Sequence, residues 1–443
     1  MQVIAATISQ LLLAIAVPYF LITVFLGARV ARLAGSLRQH EQSNAAEPTE
    51  RYHLYFLVPS LNEELVIGAT VQRLLAYRRC RVVVIDDGSE DNTALVARRA
   101  ASEIRAQHRL RIVTRRRPDA RQGKGEALNA GLPVVVRDAT ARGLDFDHVI
   151  VAVMDADGRL SEGGAYAPLP SFDDPRIGAV QLIVRIRNRS KWICRFQDVE
   201  FWTISAMSQF ARSLSGTVSL GGNGQFTRLS ALLSLDGVPW SRSLTEDLDL
   251  GLRLAAAGWR LTTTATAYVD QQGVESYSRL LRQRTRWYQG HLSCIRRLPE
   301  LWASNRVSQV ALIELSSYLF VPWLIVLPWS VLQQWVLVEL AFGQGRGVFA
   351  TGLGSPVWQI GYALLWYLIS FLPNLVIGLV YARRTRAVGL GTALVLGHLM
   401  IAWNYIGYVA AWLGLVRMLR GRSGWDKTPR VRDAGAGPVP AIS

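Results

Sequence analysis

The stretch "DHVIVAVMDADG", Asp147 to Gly158, decides how the rest of the chain is read. Val149 to Val153 is a short apolar run rich in β-branched residues, the pattern of a buried strand. It ends in carboxylates. Asp155 and Asp157 stand two residues apart, which in an extended chain puts both side chains on the same side. The same grammar recurs upstream. "LYFLVPSLNEE" reads as a strand ending at Pro59, followed by a helical stretch from Leu65 to Tyr77. "RVVVIDDGSEDNT" reads as a strand ending in Asp86 and Asp87, and a helix over Thr93 to Gln107 leads on to "LRIVTRRR". Strands alternating with helices predict an α/β domain around a mostly parallel sheet. Ligands of such sheets sit beyond the carboxyl ends of the strands, which is where the acidic clusters fall.

Each cluster also admits a plainer structural account. Two hard oxygen donors at a strand end suit Mg²⁺ or Mn²⁺ bridging a diphosphate, but Asp-Gly is equally ordinary turn chemistry. Asp87 beside Gly88 can accept a nucleobase N–H, or the stretch can be a βα loop in which Asp91 caps the next helix. In "LTEDLDLGLRL", Glu246 and Asp247 stand before an amphipathic helix. Thr245 as N-cap lacks the Glu at N3 that a capping box needs, since Leu248 stands there. A carboxylate in this place can instead take a proton from an acceptor hydroxyl. "RQGKGEALNAG" sets Lys124 between glycines ahead of a helix, suited to a phosphate or a nucleobase edge.

The 443 residues carry a formal charge of +16, and Lys124, Lys191 and Lys427 are the only lysines among the cations. Such a balance suits phosphate-bearing partners, either nucleotides or anionic lipid headgroups. With no basic tail, zinc-ligand spacing or RNA-binding aromatic pattern, nucleic acid is not expected as a partner. Cys80, Cys194 and Cys294 are isolated, which fits a reducing compartment, and the six scattered histidines predict no zinc site.

Val3 to Val30 is long enough to span a bilayer, which needs roughly 20 apolar residues. Arg29, Arg32 and Arg38 follow it, which argues for a retained span leading into the cytoplasm rather than a signal peptide. Val310 to Leu340 and Val357 to Tyr381 read as further spans, the second closed on the inside by Arg383, Arg384 and Arg386. Ala387 to Val416 is flanked by cations at both ends. A full crossing would place Arg417, Arg420, Arg422 and Lys427 outside, so a re-entrant or interfacial segment with both ends cytoplasmic is expected. The expected divisions are an N-terminal transmembrane helix (1–32), a cytoplasmic domain ending in interfacial helices (50–300) and apolar segments (308–418). A short basic segment (419–432) and a tail of disordered composition (433–443) complete them.

In their order, "VPSLNEE", "DDGS", "GKGEALN", "DAD", "GGNGQF", "TED" and "QRTRW" resemble the processive family 2 glycosyltransferases, the cellulose, hyaluronan, chitin and poly-N-acetylglucosamine synthases. Each motif is weak alone; their order and spacing ahead of apolar segments are specific. The resemblance covers roughly Leu54 to His291. It implies a GT-A (Rossmann-like) cytoplasmic domain inserted between transmembrane helices of an integral, multi-pass membrane protein. The implied reaction is inverting transfer of a sugar from a nucleotide sugar, expected to be UDP-linked. By that likeness Pro59, Ser60, Glu63, Asp87, Lys124 and Asp155 meet the nucleotide, Asp157 holds Mg²⁺ or Mn²⁺, and Asp247 is the general base. Asn223, Glu246 and Trp287 fall to the acceptor, and Gln283, Arg284 and Arg286 to the diphosphate.

The plain alternative for "QRTRW" is an anchor helix with snorkelling arginines and an interfacial Trp. His291, just beyond it, is expected to be an interfacial polar residue rather than a substrate contact. Further on, "GWDKTPR" resembles the family's gating loop through Trp425, Lys427 and Thr428, while departing from the FxVTxR form of cellulose synthases. A juxtamembrane basic patch is the alternative there. The implied function is polymerisation and secretion of a β-linked polysaccharide. The alternative is a non-processive glycolipid synthase transferring one sugar to a lipid acceptor such as diacylglycerol, with membrane lipids as partners in either case.

Overall fold

The computed structural model describes residues 25, 27–29, 51–342, 356–385 and 388–422. The apolar runs fold as expected: β1 (His53–Ser60), β2 (Cys80–Asp86), β3 (Leu110–Thr114) and β4 (Val149–Val153). Between them lie α1 (Ile67–Ala76), α2 (Thr93–Glu103) and α3 (Lys124–Ala141). After β4 come β5 (Arg159–Leu160), β6 (Ile177–Ile186), β7 (Gln225–Arg228) and β8 (Arg260–Gln271). Among the described residues these make one eight-stranded sheet in the order β3-β2-β1-β4-β7-β6-β8-β5.

The expectation of a mostly parallel sheet holds for the first half only. β3, β2, β1 and β4 run parallel, but β7 enters antiparallel between β4 and β6, and β5 pairs antiparallel with β8. β6 and β8 are parallel again. The sequence hides β7 because "QFTR" is short and polar, yet all four of its residues are buried. Side chains along the parallel strands alternate between two cores, as a period of two requires. Phe56, Val58, Val82, Val84, Ile150 and Ala152 face α1 and α2. Tyr55, Leu57, Val83, Ile85, Val149, Val151 and Val153 face α3 and the helix that follows Thr245.

Helices make up the rest of the described chain. α4 (Trp192–Val199) passes through a π-helical turn (Glu200–Ser205) into α5 (Ala206–Ser213). α6 (Leu229–Leu233), α7 (Glu246–Ala256), α8 (Tyr277–Ser293) and α9 (Leu298–Ala303) follow. α10 (Gln309–Phe320) runs through a second π-helical turn (Val321–Val326) into α11 (Leu327–Phe342). Pro322 and Pro328 lack the N–H groups that a regular α ladder would use there. α12 (Pro356–Thr385) and α13 (Leu390–Leu419), of 30 residues each, end the described chain.

Among the described residues, Gln309–Gln334 and Leu390–Leu419 are long and apolar enough to cross a membrane, with mean hydropathies of 2.0 and 1.5. α13 corrects one expectation. A re-entrant segment must turn back on itself, whereas this stretch is one unbroken helix. The expected first span, apart from a few helical residues at 25 and 27–29, lies outside the described residues. So do Trp425, Lys427 and Thr428 of the gating-loop-like segment, and the tail.

Candidate active site

The loops at the strand ends build the first wall. The Asp87 amide donates to the carbonyl of Ser60 at 2.8 Å, drawing the loop after β2 alongside the end of β1. Asp86 turns the chain by accepting from the Ser89 amide at 3.0 Å, and Asp87 is left lining a cavity. Burial pushes the Asp87 carboxyl up, against the opposing Arg121 amide and the Arg115 guanidinium with which Asp87 pairs. Asp91 accepts from the Thr93 amide at 3.0 Å and the Glu64 amide at 3.1 Å. Asp91 thus ties down the start of α2, while Asp87 faces the cavity. Pro59, Ser60 and Glu63 line it too.

Lys124 opens α3 directly after Gly123, whose φ of 121° suits glycine alone. Its Nζ donates to Asp155 Oδ1 at 2.5 Å and to the carbonyl of Gly222. Burial presses the Lys124 pKa down, but Asp155, Glu246 and Asp247 together hold it above the usual lysine value.

The Asp155–Asp157 stretch departs from its expected geometry. β4 ends at Val153, and the Gly158 amide donates to the Asp155 carbonyl at 2.9 Å, so the carboxylates sit on a turn. The same-side rule of an extended chain no longer applies. Asp155 lines the cavity beside Lys124. Asp157 is buried outside that lining, and its Oδ2 accepts from the Gln272 amide at 3.2 Å. Asn223 braces the turn by accepting from the Asp155 amide at 3.2 Å, while its own carbonyl accepts from Gln181 at 2.8 Å. Among the described residues no group of three or more His, Cys, Asp or Glu side chains is placed to hold a metal. Two carboxylates are nonetheless a fitting donor set for Mg²⁺ or Mn²⁺, which usually complete their shells with water and substrate phosphates.

Glu246 and Asp247 open α7, where N-cap Thr245 makes no side-chain capping bond. Asp247 Oδ1 accepts from the Leu248 amide at 2.8 Å. Burial raises both carboxyl groups. Glu246 is lifted further by Asp247, to about 7, despite Lys124 and Arg286. α8 closes the site from the other side, with Gln283, Arg284, Arg286 and Trp287 all in the lining. Gly290 sets how closely it approaches: a Cβ there would lie 2.5 Å from Thr245 Cγ2. Arg284 pairs with Glu200 at 2.5 Å and sits 4.6 Å from the Trp287 ring, which meets Phe201 edge-on at 6.1 Å.

His291, expected as an interfacial polar residue, belongs to the same wall. It lines the cavity, stacked on Tyr318 at 4.7 Å, and burial lowers its pKa to about 4, so it is neutral. Arg212 lies 3.9 Å from the same Tyr318 ring and pairs with Glu314 at 2.7 Å. Sequence reasoning missed Arg115, Gln181, Glu200, Arg212 and Tyr318. Only Arg115, in a run of three arginines after a strand, carried any local signal. All the sequence-predicted site residues among the described residues, Asp157 apart, are brought to one cavity of about 660 Å³.

The model of the glycosyltransferase like family 2 matches residues 51–290, more than half of the chain. The chain belongs to that family. It is a glycosyltransferase, and the family match spans the loops that line the cavity from Pro59 to Trp287. Beta-monoglucosyldiacylglycerol synthase of Synechocystis sp. is 32% identical over 248 residues, covering 53% of this chain and 47% of the relative. Poly-beta-1,6-N-acetyl-D-glucosamine synthase of Staphylococcus aureus is 28% identical over 239 residues, covering 53% of each. The chain thus spans about half the length of the curated relatives it matches. Among solved structures, the mannosyltransferase PcManGT from Pyrobaculum calidifontis, in complex with GDP-Man and Mn²⁺, superposes with a TM-score of 0.54 at 19% identity. That match covers 91% of this chain and 99% of the other, and the domain is GT-A-like.

Proposed function

We propose that this family 2 glycosyltransferase moves one sugar, with inversion, from a UDP-linked donor to the hydroxyl of an uncharged lipid acceptor. One observation carries the reading. The cavity is lined by the strand-end loops at Pro59 and Asp87, by Asp155 and Asp247, and also by apolar side chains of the helices, Ile204, Val321, Pro322 and Val326. Such a lining suits a hydrocarbon chain whose hydroxyl reaches Asp247. Its cations are matched by carboxylates, Arg212 by Glu314 and Arg284 by Glu200, which favours a neutral acceptor over an anionic one. The likeness to a glucosyldiacylglycerol synthase points the same way.

In this reading Asp87 and the Pro59–Glu63 loop hold the nucleotide, and Arg286 and Gln283 meet its diphosphate. Asp247, a stronger base than an ordinary carboxylate because it is buried, takes the proton of the attacking hydroxyl. Asp155 and Asp157 would hold the divalent cation, which supplies charge to the departing diphosphate. Lys124, at Asp155 and Gly222, fixes the turn between donor and base. In this reading the acceptor part of the cavity faces the bilayer and the nucleotide loops face the cytoplasm.

A second reading, extension of a polysaccharide, draws on the Trp287–Phe201 pair in the lining, a platform on which a sugar ring can stack, and on the likeness to a polymer synthase. Product size separates the two. Detergent-solubilised protein given a panel of nucleotide sugars with diacylglycerol should yield a monoglycosylated lipid. A high-mass polymer made without added lipid would sink the first reading.

A further inference from the structure

The π-helical turn sends Glu200, Phe201, Ile204 and Ser205 to the cavity, but Trp202 lies outside that lining. Its ring instead meets two guanidiniums from distant parts of the chain. Arg384, at the end of α12, has its Cζ 4.4 Å from the Trp202 centroid, and Arg185, on β6, has its Cζ at 5.1 Å. Tyr268 and Phe210 complete the aromatic walls, 5.4 Å from Arg185 and 5.6 Å from Arg384. Arg185 Nε, an Arg384 Nη and Trp202 Nε1 are buried, and none has an acceptor among the described residues. Among the described residues these three buried donors, from three separate elements that meet at one indole, have no acceptor. Two cations brought to one indole repel each other. The carboxylate in electrostatic reach of Arg185 is Asp270, which also faces Arg187 and Arg189.

We propose that Arg185, Arg384 and Trp202 form an anion site that takes a single phosphate group. Guanidinium forks match phosphate oxygens two at a time, and an indole N–H adds a third donor. Ala28, Met207 and Val380 belong with Trp202 to one apolar cluster. Two sources offer this chemistry at the end of an apolar helix: the phosphodiester of an anionic lipid headgroup, and free phosphate. Because Trp202 belongs to the turn whose neighbours wall the cavity, an occupied site would stiffen that wall.

The test uses the full chain in neutral detergent, titrated by native mass spectrometry with phosphatidylglycerol, phosphatidylcholine or inorganic phosphate. The parent should retain phosphatidylglycerol in preference to phosphatidylcholine. Arg185→Gln and Arg384→Gln should each weaken that binding about tenfold, the scale of a lost charge-assisted pair. Displacement by millimolar inorganic phosphate would identify free phosphate as the ligand, and its failure to displace would identify the headgroup; either supports the site. Trp202→Phe keeps the ring and removes only the N–H. It should weaken binding by a smaller factor while leaving UDP affinity intact, which also reports folding. Phosphatidylglycerol and phosphate binding unchanged across all three variants would overturn the proposal.

Discussion

Asp247 is the residue on which the proposed chemistry turns, and its surroundings dictate a pH response. Two carboxyl groups adjacent in sequence and removed from water cannot both ionise as easily as one. Their pKa values lie above the ordinary range, with Glu246 near 7. As pH falls through that region the pair takes up a proton and the base is lost, so kcat/KM should decline on the acid side of about 7. Glu246→Gln, neutral at every pH, should move this limb to lower pH, because a lone carboxylate facing Lys124 stays ionised further down. Asp247→Asn should lower turnover by about 10²–10⁴-fold with nucleotide affinity nearly unchanged. Activity within a few-fold of the parent would remove Asp247 from the role. Gly222 provides a separate check. A Cβ there would lie 2.7 Å from Lys124 Nζ and 3.3 Å from Asp247 Oδ2. The lysine can swing aside, but only by leaving Asp155. Gly222→Ala should therefore keep its thermal midpoint close to the parent's and lose most of its activity, measured as UDP release.

At the scale of elements, the site depends on α7 and α8 meeting closely. Gly290 lets them: a Cβ on it would stand 2.5 Å from Thr245 Cγ2 and 2.9 Å from the Thr245 amide nitrogen. Backbone cannot yield as a side-chain tip does, so Gly290→Val must push α8, with Gln283 and Arg286, away from Asp247. A displacement near 1 Å commonly costs about 10²-fold in rate. Turnover should fall by that order while the UDP affinity proposed for the strand-end loops changes less; equal loss of both would point to global misfolding instead. The same contact shows what sequence could and could not tell. The strand-end carboxylates, Lys124 and the α8 motif were legible because short-range order fixes them: a strand ends, a glycine turns, a helix begins. The partners that arrive from elsewhere were not. Glu200 reaches Arg284, Arg212 meets Tyr318, and β7 slips antiparallel into the sheet, each through packing between segments far apart in the chain. Asp157 shows the converse error, since the side its carboxylate takes was inferred from an extended backbone that the turn at Asp155–Gly158 replaces.

For the whole molecule the open matter is how α13 lies against the membrane. Its buried face, including Trp403, Ala410, Ala411 and Gly414, packs chiefly against α8 and α12. Trp403 stacks on Phe196 of α4 at 5.0 Å, Gly407 abuts Tyr288, and the Arg422 carbonyl just past the helix accepts from Gln289 at 2.5 Å. From Trp403 to its end at Leu419 α13 rises about 24 Å, most of the ~30 Å depth of the hydrocarbon core. If α13 stood upright across the bilayer, α8 beside it would have to cross as well. α8 carries Arg279, Arg282, Arg284 and Arg286, and each cation in the core is expensive. The other face of α13 is apolar and exposed at Leu399, Val409, Leu413 and Val416, a stripe suited to lipid. A helix lying in the cytoplasmic interface satisfies both faces; it keeps the cations after Val416 inside and discards only the re-entrant form first expected. Both ends should then share one side of the membrane. Single cysteines at Gly389 and Arg422, exposed positions in a chain whose described cysteines are all buried, should react with an impermeant maleimide only after the membrane is opened. Labelling of Gly389→Cys in intact cells, with Arg422→Cys still protected, would mean that α13 crosses, and the domain helices it rests on would have to be placed anew.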